Sequence, residues 1–93
     1  MGLIVSSFKV FPSGPEIDLN LLREGIKRAM PEGVTVQRFG EEPIAFGLVA
    51  LHVDIVMPED SAGMMEKIEE ILRSIDGVSQ IDTLMVRRLS VFR

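Results

Sequence analysis

The 93-residue chain reads as strand, helix, strand, strand, helix, strand. That order predicts an α+β, ferredoxin-like two-layer sandwich, βαββαβ, with antiparallel sheet order 4-1-3-2. Three observations carry the prediction. Two segments alternate apolar and polar residues with a period of two, two others carry apolar stripes at helical spacing, and Pro-Gly punctuation separates them all.

Ile4, Ser6, Phe8 and Val10 alternate with Val5, Ser7, Lys9 and Phe11, and Pro12-Ser13-Gly14-Pro15 ends this first strand. Asp18 is an expected N-cap for a helix that carries Leu19, Leu22, Ile26 and Met30 on one side and Arg23, Lys27 and Arg28 on the other. Gly25 falls inside this helix, where glycine costs about 1 kcal/mol against alanine. Pro31-Glu32-Gly33 stops it. A second strand is expected from about Val34 to Glu42, polar enough in its later half for an edge position. Pro43 breaks it, and Ile44-Ala45-Phe46-Gly47 leads into a third strand where Leu51, Val53, Ile55 and Met57 alternate with His52, Asp54 and Val56.

Pro58-Glu59-Asp60-Ser61 closes that strand and is expected to cap a second helix with Met64 or Met65, Ile68, Ile71, Leu72 and Ile75 on its apolar side. Asp76-Gly77 ends the helix. A last strand is expected from Val78 to about Val86, with residues 87–93 left as a tail. The length suits a single domain spanning 1–93.

Hydrophobic residues make up 46% of the chain, enough for a continuous core without disulfides or metals. The absence of cysteine excludes thiol nucleophiles, zinc ribbons and disulfide frameworks, and it fits a reducing, cytoplasmic setting. The net charge of −4 argues against direct nucleic-acid binding, which draws most of its affinity from phosphate neutralisation. The longest apolar run, Ile44–Leu51, is interrupted by Gly47 and falls short of a membrane span, so no membrane partner is expected. The start of the chain lacks the pattern of a signal peptide. Met1-Gly2 with Ser6 matches a myristoylation pattern nominally, but strand alternation begins at once.

No phosphate-binding loop, dinucleotide fingerprint, zinc-protease motif or nucleophile elbow is present, and His52 is the sole histidine. A catalytic centre, a cofactor site and a metal site are therefore not expected. Glu66, Glu69 and Glu70 read as the solvated side of the second helix, and Met64 and Met65 as core filling. Two segments stand apart. The Pro43–Gly47 connection holds Ile44 and Phe46, which either fold back on the core or offer an anchor to a partner. The end of the chain gathers Arg87, Arg88 and Arg93 beside Leu89, Val91 and Phe92 in an otherwise acidic protein.

At these residues the sequence resembles the archaeal elongation factor 1-beta family. The resemblance rests on Glu42-Pro43-Ile44-Ala45-Phe46-Gly47-Leu48 and the strand ending in Met57-Pro58-Glu59-Asp60. It is supported by Pro15-Glu16-Ile17-Asp18-Leu19, Met30-Pro31-Glu32-Gly33 and the final strand into Arg87-Arg88. It implies a ferredoxin-like fold and a protein that is not an enzyme but a guanine-nucleotide exchange factor. The partner would be the GTPase elongation factor 1-alpha, which would lose GDP and take up GTP. It further implies that Pro43, Ile44, Phe46 and Gly47 form one contact with the GTPase and Arg87, Arg88 and Leu89 another. In eukaryotic relatives the turn's phenylalanine packs on the GTPase, and a lysine beside the C-terminal leucine reaches toward its magnesium. Those roles fall here on Phe46 and Arg88. Arginine stands where those relatives carry lysine, and Ser90-Val91-Phe92-Arg93 follows Leu89. The alternative is a ferredoxin-like ligand- or RNA-binding module. Its open sheet face would carry Val5, Ser7, Lys9, His52, Asp54 and Val56, none of them aromatic.

Overall fold

Six elements follow in the expected order in a computed structural model that describes residues 2–59 and 63–89: β1 (Leu3–Pro12), α1 (Leu19–Ala29), β2 (Thr35–Pro43), β3 (Val49–Pro58), α2 (Met64–Ser74) and β4 (Val78–Leu89). The four strands form one antiparallel sheet in the order β2-β3-β1-β4, which is 4-1-3-2 read from the other edge. This is the ferredoxin-like arrangement, with α1 and α2 packed on one side of the sheet.

The strand register explains the alternation. Phe8 and Val10 lie opposite Val53 and Leu51, and these side chains meet Leu22 and Ile26 of α1 and Ile68 and Leu72 of α2 in the buried core, with Ile4, opposite Met57, packed at its margin. Each such side chain contributes about 1.5–3 kcal/mol on burial. Met64 and Met65 pack against the core margin as filling, and the Ser6 hydroxyl donates to the Met65 sulfur at 3.3 Å. Glu69 accepts from Thr83 and faces Arg73 one turn on, so the acidic side of α2 is a solvated, partly paired surface.

The first helix begins as the sequence indicates. Asp18 Oδ1 accepts from the backbone N–H groups of Asn20 at 2.9 Å and Leu21 at 3.3 Å. It ends at Met30, whose extended backbone suits the residue before Pro31. The second helix starts differently. Its N-cap is Gly63, in a left-handed conformation at φ 75° with no side-chain cap bond. Of the residues expected to supply the cap, Asp60 and Ser61 lie outside the described residues.

Strand four corrects the sequence reading. It does not stop near Val86 but runs to Leu89, because Arg87, Arg88 and Leu89 pair with Val5, Ile4 and Leu3 of β1. Ladder bonds to a central strand hold charged residues in the extended state whatever their propensity. The Ser90–Arg93 extension lies outside the described residues. Within β4, Ser7 pairs with Met85 and Phe8 with Thr83, so Leu84 is an extra, bulged residue.

Candidate partner-binding site

The β2–β3 turn is short and tightly bonded. Pro43 pairs with Val49, the Ile44 N–H donates to the Leu48 carbonyl at 2.9 Å, and the Leu48 N–H donates to the Ala45 carbonyl at 2.9 Å. Ala45 to Leu48 is therefore a β-turn whose two central residues, Phe46 at φ 54° and Gly47 at φ 78°, both have positive φ. This is the geometry of a type I′ hairpin turn, usually built from Asn-Gly. Glycine meets it freely. For phenylalanine it costs about 1–2 kcal/mol, because Cβ approaches the following carbonyl.

Phe46 gains nothing within the chain in return, since 96% of it is exposed. The choice left open by the sequence, core or anchor, falls against the core. Ile44 is 42% exposed beside it. Gly47 meets the preceding loop: a Cβ there would lie 3.7 Å from Cβ of Pro15, and its backbone would be strained as well.

Below the turn, ion pairs fix the ends of the strands. Glu42 accepts from His52 Nε2 at 2.6 Å and faces Lys9 Nζ at 3.4 Å. The hydrogen bond from His52, then the interactions with Lys9, hold the Glu42 carboxyl below its ordinary pKa. Arg23 of α1 bonds Glu41 of β2.

At the other end of the sheet, Arg87 and Arg88 project from opposite faces. Arg87 pairs with Val5 and turns to the open face, where it lines a shallow concavity of about 430 Å³ with Ser7, His52 and Asp54. Arg88 pairs with Ile4 and turns to the helix side, where it bonds Glu59. Its side chain is 72% exposed. Leu89 closes the ladder opposite Leu3.

The structure brings Pro43, Ile44, Phe46 and Gly47 into one cluster and Arg87, Arg88 and Leu89 into another, but it does not bring the two clusters together. Val49 flanks the turn, and Met57 lies level with Ile4 and Arg88. The eight intervening steps of β3 put the clusters roughly 25 Å apart. Phe46 and Arg88 therefore lie at opposite ends of the sheet.

The sequence of residues 5–89 matches the family model described as the EF-1 guanine nucleotide exchange domain. Among curated relatives, elongation factor 1-beta of Methanothermobacter thermautotrophicus is 47% identical over 96% of this chain and 99% of its own. That of Hyperthermus butylicus is 45% identical over 89% and 90%. The chain belongs to the EF-1 guanine nucleotide exchange family. Nucleotide exchange is the role that goes with membership. Among solved structures, the C-terminal domain of MgtC from Mycobacterium tuberculosis superimposes with a TM-score of 0.67 at 16% identity, covering 89% of this chain and 87% of that one, which speaks for the fold alone.

The exchange-family match spans both clusters, whereas the open sheet face offers little to an alternative ligand. Val5 lies opposite Val56, Ser7 opposite Asp54 and Lys9 opposite His52, so these six residues do share one face. Two of them, Val5 and Asp54, are buried rather than open. Asp54 accepts from Ser7 Oγ at 2.7 Å and Arg38 Nε at 3.0 Å, leaving its charge matched within the sheet. Sequence reasoning missed Phe11, which the alternation of β1 puts on this face; the Lys9 ammonium lies 5.4 Å from its ring centre. One aromatic under a lysine is a poor stacking platform for RNA bases. Among the described residues no group of three or more acidic, histidine or cysteine side chains is arranged to hold a metal, and no helix is long and apolar enough to cross a membrane.

Proposed function

We propose that this chain acts as a single exchange domain on elongation factor 1-alpha, promoting replacement of GDP by GTP through stabilisation of the nucleotide-free GTPase. The observation that carries the reading is Phe46, a bulky ring held in solvent by a backbone conformation it disfavours. Strain without an internal return belongs to a surface whose return comes from a partner. An aromatic anchor entering a pocket supplies about 2 kcal/mol or more of binding energy, enough to offset the strained turn.

The second contact works by charge. GDP and magnesium stay on a GTPase because the cation neutralises phosphate and is held by oxygen ligands. A guanidinium brought beside that site opposes the metal and weakens the nucleotide. Arg88 has the exposure to do this once it leaves Glu59. Because the two clusters are roughly 25 Å apart, the partner must span that distance, and one contact serves affinity while the other serves displacement. Linkage requires that a domain preferring the nucleotide-free state lower nucleotide affinity by the same factor. No covalent bond is made or broken, so the domain is not an enzyme in that sense. Its place of action is the cytoplasm.

The test is release of fluorescent GDP from elongation factor 1-alpha of the same source, with increasing amounts of this protein. The release rate rises and saturates. A rate that stays at its intrinsic value under saturating protein overturns the reading.

A further inference from the structure

We infer that the docking surface at the Phe46 end continues past the turn into a groove kept open by Gly25, where it takes an apolar side chain of the GTPase flanked by a cation. This rests on the exchange reading above. The groove lies between the start of α1 and the end of α2, with a volume of about 730 Å³. Ile17, Leu21, Leu22 and Ile75 line it together with Asp18 and Asp76. Leu21 is 71% exposed, a large apolar residue left in water at the groove's lip.

Three features tie the groove to the turn. The β2–β3 turn, the first residues of α1 and the segment after α2 all lie at the same end of the sheet. Ile17 lines both this groove and a smaller cleft that it shares with Pro15 and Gly47, so the surface is continuous from the Phe46 turn to Leu21. Then there is Gly25, in the interior of an eleven-residue helix where glycine weakens the helix relative to alanine. Packing does not require it. A Cβ at Gly25 would meet only Cγ2 of Ile75, at 3.8 Å, an ordinary contact. What alanine or anything larger would do is fill the groove. The glycine therefore serves the space beside it.

Charge fixes the occupant. Asp18, which also caps α1, and Asp76 line the groove and Glu16 precedes Ile17, while the cations Arg23 and Lys9 are paired with Glu41 and Glu42. An apolar groove whose described lining carries the carboxylates of Asp18 and Asp76 and no cation fits a partner side chain that is apolar at its tip and has Lys or Arg beside it.

Gly25→Ala and Gly25→Leu are measured beside the intact protein for thermal stability, for direct binding to purified elongation factor 1-alpha, and for GDP release. Gly25→Ala is expected to raise Tm on the order of 5 °C. Gly25→Leu raises the Kd and the half-saturating concentration by about fivefold or more, with the maximal release rate unchanged. Leu21→Gln, on an exposed helical position, shifts both in the same direction. The double variant Glu16→Gln with Asp76→Asn slows association at low salt, and the deficit closes as salt rises. A folded Gly25→Leu protein with unchanged Kd overturns the groove, and an unchanged association rate in the double variant overturns the cationic flank. Failure of the exchange reading is seen separately, as an intact protein that binds the GTPase without releasing GDP. If it does not bind at all, both fall.

Discussion

At one end of the sheet a strained turn holds an aromatic ring out in solvent; at the other, three residues of β4 are held by a strand partner and a salt bridge. Phe46 meets almost nothing of its own chain, whereas Arg88 is tethered to Glu59 and its backbone is paired with Ile4. The first arrangement is rigid and prepaid, so a partner collects the full hydrophobic return without ordering a loop. The second holds a long charged side chain that is ordered at its base and tied at its tip by a single, largely exposed ion pair that a partner can break. An anchor should set affinity, and a movable charge should set what happens after binding.

The largest effect expected from this contrast is at Phe46. Phe46→Ala weakens binding to elongation factor 1-alpha by about 1–3 kcal/mol, roughly fivefold to 150-fold in Kd. Phe46→Asn sharpens the point. It creates the Asn-Gly pair that a type I′ turn prefers, so the fold gains about 0.5–1 kcal/mol while affinity drops as it does in the alanine variant. Thermal melting and titration calorimetry on the same sample read the two quantities. A less stable Asn variant would mean that the turn is not strained in the way described, and the contrast between the two ends would collapse.

How far the sequence carried this account differs between the ends for a physical reason. Periodicity reports side-chain partition between core and solvent, so β1, β3 and both helices were legible from the spacing of residues such as Phe8, Val53, Ile26 and Ile68. Arg87 and Arg88 gave no such signal. Their strand state comes from backbone bonds to Leu3–Val5, which any side chain can make, so the last three residues of β4 look like a tail in the sequence alone. Phe46 stood out as too apolar for its turn, yet its exposure depends on a backbone angle that local sequence does not dictate. The groove at Gly25 was hidden for another reason. An interior glycine is read as a weak point of a helix until the neighbouring element that leaves the space, here Ile75, is known.

The next effect is at the charged end. Arg88→Gln lowers the maximal rate of GDP release about tenfold, within the usual range of coupling energies. It changes Kd little. Fold stability falls by about 1 kcal/mol or less, because an exposed ion pair contributes little. Single substitutions are better suited to this test than removal of the residues after Val86, which would also strip three paired residues from β1. Stopped-flow release at saturating protein gives the rate, and binding to the GDP-bound GTPase gives the affinity. Equal losses at Phe46 and Arg88 in both measurements would show a single uniform interface in place of an anchor and a displacer.

The smallest effect comes from the mount beneath the turn. Glu42, one residue before Pro43, accepts from His52 Nε2 and faces Lys9, which together hold its carboxyl below the usual pKa. A carboxylate with a lowered pKa in the folded state adds stability that is complete above its unfolded pKa and is lost as pH falls through the folded value. Glu42→Gln should therefore lower Tm slightly at neutral pH, and the difference from the intact protein should shrink as the solution is taken below the ordinary carboxylate range. If the network also steadies the turn, the variant's Kd for the GTPase at neutral pH rises in step, while the maximal release rate, which belongs to the Arg88 end, is unmoved. A variant whose Tm deficit persists at low pH would instead mean that glutamine fits the strand poorly there. The Phe46 turn would then stand on its own hydrogen bonds, with no electrostatic support from the strands that carry it.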